Sequence, residues 1–179
     1  MLNVEETVLV VVDFQEKLMA AIHNKEELLR EAVRLVQGAN VLGLPILWSE
    51  QNPKGLGPTV PELASLMTDY EPITKISFSC CGEEKFKKAF DEIDRDQVLV
   101  AGIESHVCVY QTVVDLLDEI PMVGVVADAV SSRTPENKAI GIERCRDEGA
   151  FITSTECALF ELLKAAEGDK FKQMLKVVK

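Results

Sequence analysis

A cysteine at the junction of a strand pattern and a helix pattern is the first candidate for chemistry. Residues 98–101 form an apolar run that predicts a buried strand, and apolar residues at helical spacing follow from Val109 onward. Ser105 stands where an N-cap belongs, which places Cys108 in the first helical turn. There the helix dipole favours thiolate and lowers the pKa of a thiol. Cys108 is therefore either a nucleophile or, like most free cysteines, a small buried apolar residue.

Two charged residues stand at the ends of other predicted strands. Residues 7–13 form a buried strand pattern that ends on Asp13, and the short strand 71–76 contains Lys75. The carboxyl ends of parallel strands meet at the edge of the sheet where ligands bind, so both residues can converge with Cys108. A carboxylate can take the proton of the thiol, and a cation can stabilise the thiolate. The competing interpretations are a helix N-cap for Asp13 and a snorkelling surface lysine for Lys75.

Strand and helix patterns alternate along the whole chain. The predicted strands are 7–13, 44–49, 71–76, 98–101, 122–127 and 151–153, and the main predicted helices are 24–42, 83–93, 138–148, 156–167 and 170–178. This alternation predicts an α/β fold with three layers, α/β/α, in which helices cover both faces of a six-stranded parallel sheet. The sequence shows no break in composition, so residues 1–179 are predicted to form a single domain.

Composition narrows the classes of partner. The net charge of −11 argues against nucleic acid and anionic membranes, because both bind basic patches. The apolar run 8–12 is too short to span a bilayer, and acidic residues precede it, which is unlike a signal peptide. The five cysteines include no C-x-x-C pair, so we expect neither a disulfide framework nor a zinc site, and a reducing cytoplasm is the natural setting. The sequence contains no dinucleotide, P-loop or serine-hydrolase motif.

The three candidate residues lie in segments that point to a known family. Asp13, Lys75 and Cys108 stand in VVVDFQ, TKISFS and AGIESHVCV. In this order the segments resemble the isochorismatase-like, or cysteine hydrolase, superfamily, and the resemblance covers nearly the whole chain. The loop SEQNPKGLGPTVPEL and the later VVADAVSSR look like the isochorismatase domain-containing proteins, whose substrate is often unassigned. The resemblance implies a Rossmann-like sheet of six parallel strands and an Asp-Lys-Cys triad.

The resemblance also implies a mechanism. Asp13 takes the proton of Cys108, and the thiolate attacks an amide-type carbonyl to give a thioester that water hydrolyses. A cis peptide bond between Ile103 and Glu104 is implied, and the amides of Glu104 and Cys108 would form an oxyanion hole. Nicotinamidases of the superfamily hold a metal with an aspartate and two histidines near the second strand. Residues 47–57 contain neither type, so we expect a metal-free hydrolase of small amides or related C–N compounds without a cofactor.

Several other residues fall in segments that should line the crevice. Phe14, Trp48, Gln51 and His106 are predicted substrate contacts, although each is also a candidate for the core or an interface. Residues 131–133 follow the fifth strand and either reach the crevice or form a solvated turn.

Two other functions fit the same residues. The chain is alternatively a non-catalytic binding or scaffold protein that retains the pocket, or a thiol redox sensor in which Cys80 or Cys81 resolves Cys108. The family resemblance suggests a homo-oligomer in every case, with a small molecule as the partner of the hydrolase.

Overall fold

The computed structural model describes residues 1–179, and its centre is a six-stranded parallel sheet. The strands are β1 Thr7–Val12, β2 Ile46–Gln51, β3 Ile73–Lys75, β4 Gln97–Ile103, β5 Met122–Ser131 and β6 Phe151–Thr153. Their order across the sheet is β3-β2-β1-β4-β5-β6, and every pairing is parallel. The predicted α/β fold with a six-stranded parallel sheet is confirmed.

Helices connect the strands. They are α1 Glu16–Met19, α2 Lys25–Leu42, α3 Pro53–Leu56, α4 Pro61–Ala64, α5 Glu84–Ile93, α6 Tyr110–Leu117, α7 Pro135–Asp147, α8 Thr155–Leu163 and α9 Gly168–Val178. A 3₁₀ turn, Cys80–Gly82, precedes α5, and a π-helical turn, Ser105–Val109, precedes α6. None of the helices combines the length and the apolar character that crossing a bilayer requires.

Two apolar cores lie on the two faces of the sheet. In β1, Leu9 and Val11 belong to the core that includes residues of α2 and α8. Val8, Val10 and Val12 belong to the other core, which includes residues of α5 and α6. Because both faces are buried, the central strands read as unbroken apolar runs rather than as an alternating pattern.

Strand β5 departs most from its predicted bounds. It continues to Ser131, whereas the pattern indicated an end near residue 127. The register between β4 and β5 shifts between Val100 and Gly102, and the ladder then resumes with Gly102 opposite Val130 and Ile103 opposite Ser131. This irregularity lets β5 continue past Asp128, the polar residue that follows the predicted strand in the sequence.

The close approach of β1 and β4 requires glycine at position 102. Gly102 has a φ of +140°, and a Cβ there would lie 2.2 Å from the carbonyl oxygen of Val12. We expect Gly102→Ala to lower the free energy of unfolding by about 2 to 5 kcal/mol, from backbone strain and overpacking together. Urea unfolding measures this change.

The matched control for this substitution is Gly149→Ala. Gly149 also has a positive φ, +108°, but nothing lies within 4 Å of an added Cβ. Only the backbone strain remains, so the expected loss is about 1 to 2 kcal/mol. Equal losses in the two variants would show that the contact between β1 and β4 imposes no packing restriction.

Candidate active site

The three predicted catalytic residues lie at one edge of the sheet. The crossovers run outward from β1 on one side and from β4 on the other, so the boundary of these two central strands is a topological switch point. Asp13 directly follows β1 and has a φ of +53°, a conformation that aspartate tolerates. Lys75 is the last residue of β3, and Cys108 lies in the π-helical turn after β4.

Lys75 and Asp13 form a fully buried ion pair. Nζ of Lys75 lies 2.6 Å from Oδ2 of Asp13, and neither side chain is exposed. The ammonium also donates to Oε1 of Gln51 at 2.8 Å and to the carbonyl oxygens of Ser77 and Phe78 at 3.3 and 2.9 Å. Burial alone would lower the pKa of Lys75, but the charge of Asp13 and the nearby Cys108 raise it above its ordinary value. Lys75 is therefore a cation at neutral pH and does not snorkel to the surface.

The two oxygens of the Asp13 carboxylate have different partners. Oδ1 accepts a hydrogen bond from Oγ of Ser49 at 2.8 Å. Oδ2 contacts the ammonium of Lys75 and receives no other donor. The N-cap of α1 is Gln15, and no side chain caps that helix, so Asp13 does not act as a cap. Oδ2 retains capacity to accept a proton.

Cys108 is held in a wider turn than the sequence pattern indicated. The carbonyl oxygen of Glu104 accepts from the amides of both Val107 and Val109, and α6 begins only after this π-helical turn. The prediction of Ser105 as an N-cap is wrong, because Glu104 precedes the turn and Oγ of Ser105 lies 2.7 Å from Oγ of Ser132. The peptide bond between residues 103 and 104 is cis.

The pKa of the Cys108 thiol is raised, not lowered. Burial is the main cause, and the negative charge of Asp13 adds to it, while Lys75 acts in the opposite direction; together they bring the pKa to about 12. The predicted lowering by the helix dipole is wrong because desolvation of the thiolate outweighs it. The thiol lies close enough to the side chains of Asp13 and Lys75 for both charges to act on its pKa. Cys108 is thus a neutral thiol beside a carboxylate.

Three of the four predicted substrate contacts fall into two groups. Gln51 joins the site, because its side-chain oxygen accepts from Lys75 and its side-chain nitrogen donates to the carbonyl oxygen of Ile76. Phe14 and Trp48 are instead buried in the apolar core that includes α2 residues, and the indole of Trp48 donates to the carbonyl oxygen of Tyr70. Their placement matches the alternative interpretation of these two residues as core.

The end of β5 and the residues after it contact the turn that contains Cys108. Nδ1 of half-buried His106 lies 2.9 Å from Oγ of Ser132. Both the amide and Nε of Arg133 donate to Oε1 of Glu104, at 3.3 and 2.9 Å. Ser131 donates to the carbonyl oxygen of His23. Residues 132 and 133 therefore support the π-helical turn that contains Cys108 and the residue before that turn.

The vicinal cysteines differ in exposure and in their contacts. Cys80 is fully buried, and its thiol donates to Oγ of Ser49 at 3.4 Å. Burial raises the pKa of Cys80, and it raises the pKa of the half-buried Cys81 to about 12. His, Cys, Asp and Glu side chains form no group of three or more that is suited to a metal ion.

Sequence reasoning missed Ser49 as a neighbour of Asp13, and it named Cys80 only as a possible resolving cysteine for Cys108. The one signal for Ser49 was a hydroxyl in an otherwise apolar strand pattern. The carbonyl oxygens that accept hydrogen bonds from Lys75 belong to the backbone, so they cannot be predicted from residue types.

Comparisons with known proteins identify relatives over most of the chain. Residues 7–157 match the model of the isochorismatase domain. Isochorismatase domain-containing protein 2 of Xenopus laevis is 39% identical over 177 residues, which cover 99% of this chain and 85% of the relative. The isochorismatase domain-containing protein 2 of Danio rerio is 37% identical over 177 residues, 99% of this chain and 89% of the relative.

Two solved structures share the fold. The structure of the MAR1 ribonuclease from Caenorhabditis elegans has a TM-score of 0.93 and 35% identity, with 99% of this chain and 91% of that chain covered. The YcaC gene product of Escherichia coli, described as an octameric hydrolase of unknown specificity, has a TM-score of 0.93 and 22% identity, with coverage of 98% and 88%. At 22% identity the likeness to YcaC concerns the fold alone.

Proposed function

The chain belongs to the isochorismatase family, and from this premise we propose that it is a metal-free cysteine hydrolase of small amides or related C–N compounds. The observation that carries the proposal is the placement of the buried Cys108 thiol within the electrostatic influence of the Asp13 carboxylate, which is itself paired with Lys75. A protonated thiol beside a buried base has the arrangement that nucleophilic catalysis requires.

The first half-reaction forms a thioester. Oδ2 of Asp13 takes the proton of the Cys108 thiol, and the sulfur attacks the carbonyl carbon of the amide. The resulting tetrahedral intermediate carries the negative charge on the former carbonyl oxygen. Its C–N bond then breaks while Asp13 gives the proton to the departing amine. Throughout, the ammonium of Lys75 stays beside the carboxyl group and the sulfur, where it stabilises the thiolate.

The second half-reaction releases the acid. Asp13, again a carboxylate, takes a proton from water as the water oxygen attacks the thioester carbonyl. The C–S bond breaks, the acid departs, and the proton on Asp13 returns to the sulfur of Cys108. No step needs a metal ion, and residues 47–57 offer neither the histidines nor the aspartate of the nicotinamidase metal site.

Backbone amides serve as the oxyanion hole in this proposal. The amides of Glu104 and Cys108 would donate to the oxygen of the tetrahedral intermediate. In support, the Glu104 amide donates to no acceptor within the protein, and the Glu104 side chain is held by Arg133. The amide is therefore available to a substrate and is fixed in place.

Charge and burial disfavour the rival functions. A resolving cysteine reacts as a thiolate, whereas Cys80 is fully buried and the pKa of Cys81 is raised to about 12. The net charge of −11 opposes RNA as a substrate, although the Caenorhabditis elegans relative is named a ribonuclease.

We further propose that the protein forms a homo-oligomer. The large apolar residues Ile76 and Phe78, which follow Lys75, are exposed in the single chain and would be covered in the oligomer.

Cysteine-selective labelling tests the hydrolase proposal. We expect iodoacetamide to alkylate Cys108 at least about tenfold faster than the exposed Cys157 at neutral pH, because Asp13 removes the proton during attack. The C–S bond forms as the C–I bond breaks, and iodide leaves. Intact mass and peptide mapping give the two rates.

A second experiment looks for the thioester itself. A panel of small amides is incubated with the protein and hydroxylamine, which converts a thioester on Cys108 to a hydroxamate and frees the thiol.

The outcomes of this experiment separate the functions. A buried thiol with a pKa of about 12 and no working base would react more slowly than an exposed cysteine, so a slow Cys108 would remove the basis of the hydrolase. The non-catalytic binding protein would then become the leading function. A peroxide-dependent disulfide between Cys108 and Cys80 or Cys81 would instead favour the redox sensor.

A further inference from the structure

A chain of buried hydrogen bonds leads away from the base of the proposed triad. The thiol of Cys80 donates to Oγ of Ser49 at 3.4 Å, and Oγ of Ser49 donates to Oδ1 of Asp13 at 2.8 Å. Behind Cys80, its amide donates to Oγ1 of Thr112 at 3.0 Å. The proposed reaction assigns no role to Ser49, Cys80 or Thr112.

Every member of this chain is shielded from water. Cys80, Thr112 and Asp13 have no exposed surface, and Ser49 is 2% exposed. In such surroundings an unpaired donor or acceptor is costly, so the direction of each hydrogen bond is strongly constrained. The contacts must therefore act as a fixed unit rather than exchange with solvent.

The direction of the chain follows from the Cys80 thiol. Burial and the charge of Asp13 raise the pKa of Cys80, which keeps that sulfur protonated and makes it a donor. Oγ of Ser49 accepts this hydrogen bond and directs its single proton to Oδ1 of Asp13. With Oδ1 occupied, Oδ2 is the carboxylate oxygen that faces Lys75 and retains capacity for a proton.

We propose that Ser49, oriented by Cys80, is a positioning residue that reserves Oδ2 of Asp13 for the proton of Cys108. The side chain of Ser49 forms hydrogen bonds with Asp13 and Cys80 but none with the sulfur of Cys108, so it acts on the reaction only through Asp13. This inference rests on the proposed hydrolase function, since it concerns how the base of that reaction is held. It also gives the buried Cys80 a function that requires no redox chemistry.

The test compares Ser49→Ala with the wild type by the rate of iodoacetamide alkylation of Cys108 across a range of pH. We expect the plateau rate to fall about tenfold, because the carboxylate loses the donor that orients it. The low-pH side of the rate profile, its acid limb, should also move, because Oδ1 of Asp13 has lost its donor. Lys75, Cys80 and Cys108 are the other titratable groups that face the carboxylate, and the substitution leaves all three in place.

Two further variants distinguish positioning from a purely structural role. Ser49→Thr keeps the hydroxyl and should restore the acid limb to its wild-type position. Thr112→Val removes a buried acceptor from the amide of Cys80 but leaves the hydrogen bond of Ser49 to Asp13 intact. It should lower stability in urea without moving the acid limb.

The possible results distinguish a failure of the positioning role from a failure of the proposed hydrolase function. If wild-type Cys108 reacts no faster than Cys157, the hydrolase function fails and the positioning role fails with it. If wild-type Cys108 is fast and depends on Asp13 while Ser49→Ala keeps both the plateau rate and the acid limb, only the positioning role is overturned. An equal shift of the acid limb in Thr112→Val would likewise overturn it.

Discussion

Lys75→Ala is expected to lower the free energy of unfolding by about 3 to 5 kcal/mol, because it leaves the Asp13 carboxylate buried without its counter-ion. Both side chains of the pair are fully buried, so water cannot replace the ammonium without rearrangement. The side-chain oxygen of Gln51 and the carbonyl oxygen of Phe78 lose their donor in the same substitution. Urea unfolding followed by circular dichroism measures the loss.

The pH dependence of this loss follows from the raised pKa of Lys75. A group whose pKa is higher in the folded state stabilises the fold fully below its unfolded pKa and loses that effect as the pH rises through the folded value. The difference between Lys75→Ala and the wild type should therefore be constant across neutral pH. The contribution of the Lys75 charge to this difference should be lost at strongly alkaline pH.

An exposed lysine supplies the matched control. Nζ of Lys88 lies 4.0 Å from Oε1 of Glu92, and the two side chains are 77% and 69% exposed. Lys88→Ala should therefore change the free energy of unfolding by less than about 0.5 kcal/mol. Combining Lys75→Met with Asp13→Asn removes both charges and should recover part of the loss. A loss for Lys75→Ala no larger than for Lys88→Ala would contradict a buried ion pair.

Asp13→Asn is expected to slow the alkylation of Cys108 by about 10² to 10⁴-fold at neutral pH, the range that general-base catalysis supplies. Asparagine keeps the shape of the side chain and an oxygen that accepts from Ser49, but it cannot take the proton of the thiol. Rates of iodoacetamide incorporation into Cys108 measure the effect, with the rate at Cys157 as an internal reference.

The pH profile of this variant carries a second signature. Without the base, attack depends on free thiolate, so the rate should rise about tenfold per pH unit toward the pKa of the thiol, near 12 in the native site. Loss of the Asp13 charge moves that pKa down, but burial, its main cause, remains. A profile that keeps the wild-type plateau would show that Asp13 is not the base.

The sequence predicted that Asp13 and Cys108 would lie at the same edge of the sheet because strand patterns indicate direction as well as position. Asp13 and Cys108 follow the two central strands, and parallel strands bring their carboxyl ends to one edge. Periodicity does not reveal how deeply a group is buried, which is why the lowered pKa predicted for Cys108 was wrong. For the same reason, the sequence did not decide whether Trp48 lies in the crevice or in the core. The structure places it in the core.

Contacts between segments that are distant in the sequence could not be predicted from local sequence patterns. Ser49 and Cys80 lie 31 residues apart and meet only because β2 and the 3₁₀ turn before α5 pack beside the central strands. The π-helical turn at Ser105–Val109 was missed for a related reason. Its sequence fits an ordinary helix start, and the partner that engages Ser105 instead is Ser132, which lies 27 residues later.

The buried ion pair affects the net charge of the site during the proposed reaction. A carboxylate, an ammonium and a thiol sum to zero charge, and so do a carboxylic acid, an ammonium and a thiolate. In the proposed cycle the oxyanion intermediate, with a protonated Asp13 and a charged Lys75, sums to zero as well. Each step therefore shifts a proton inside an electroneutral compartment. A neutral substrate can bind and react without drawing an ion from bulk water, so the cost of placing charges in a low-dielectric interior arises once, when the chain folds.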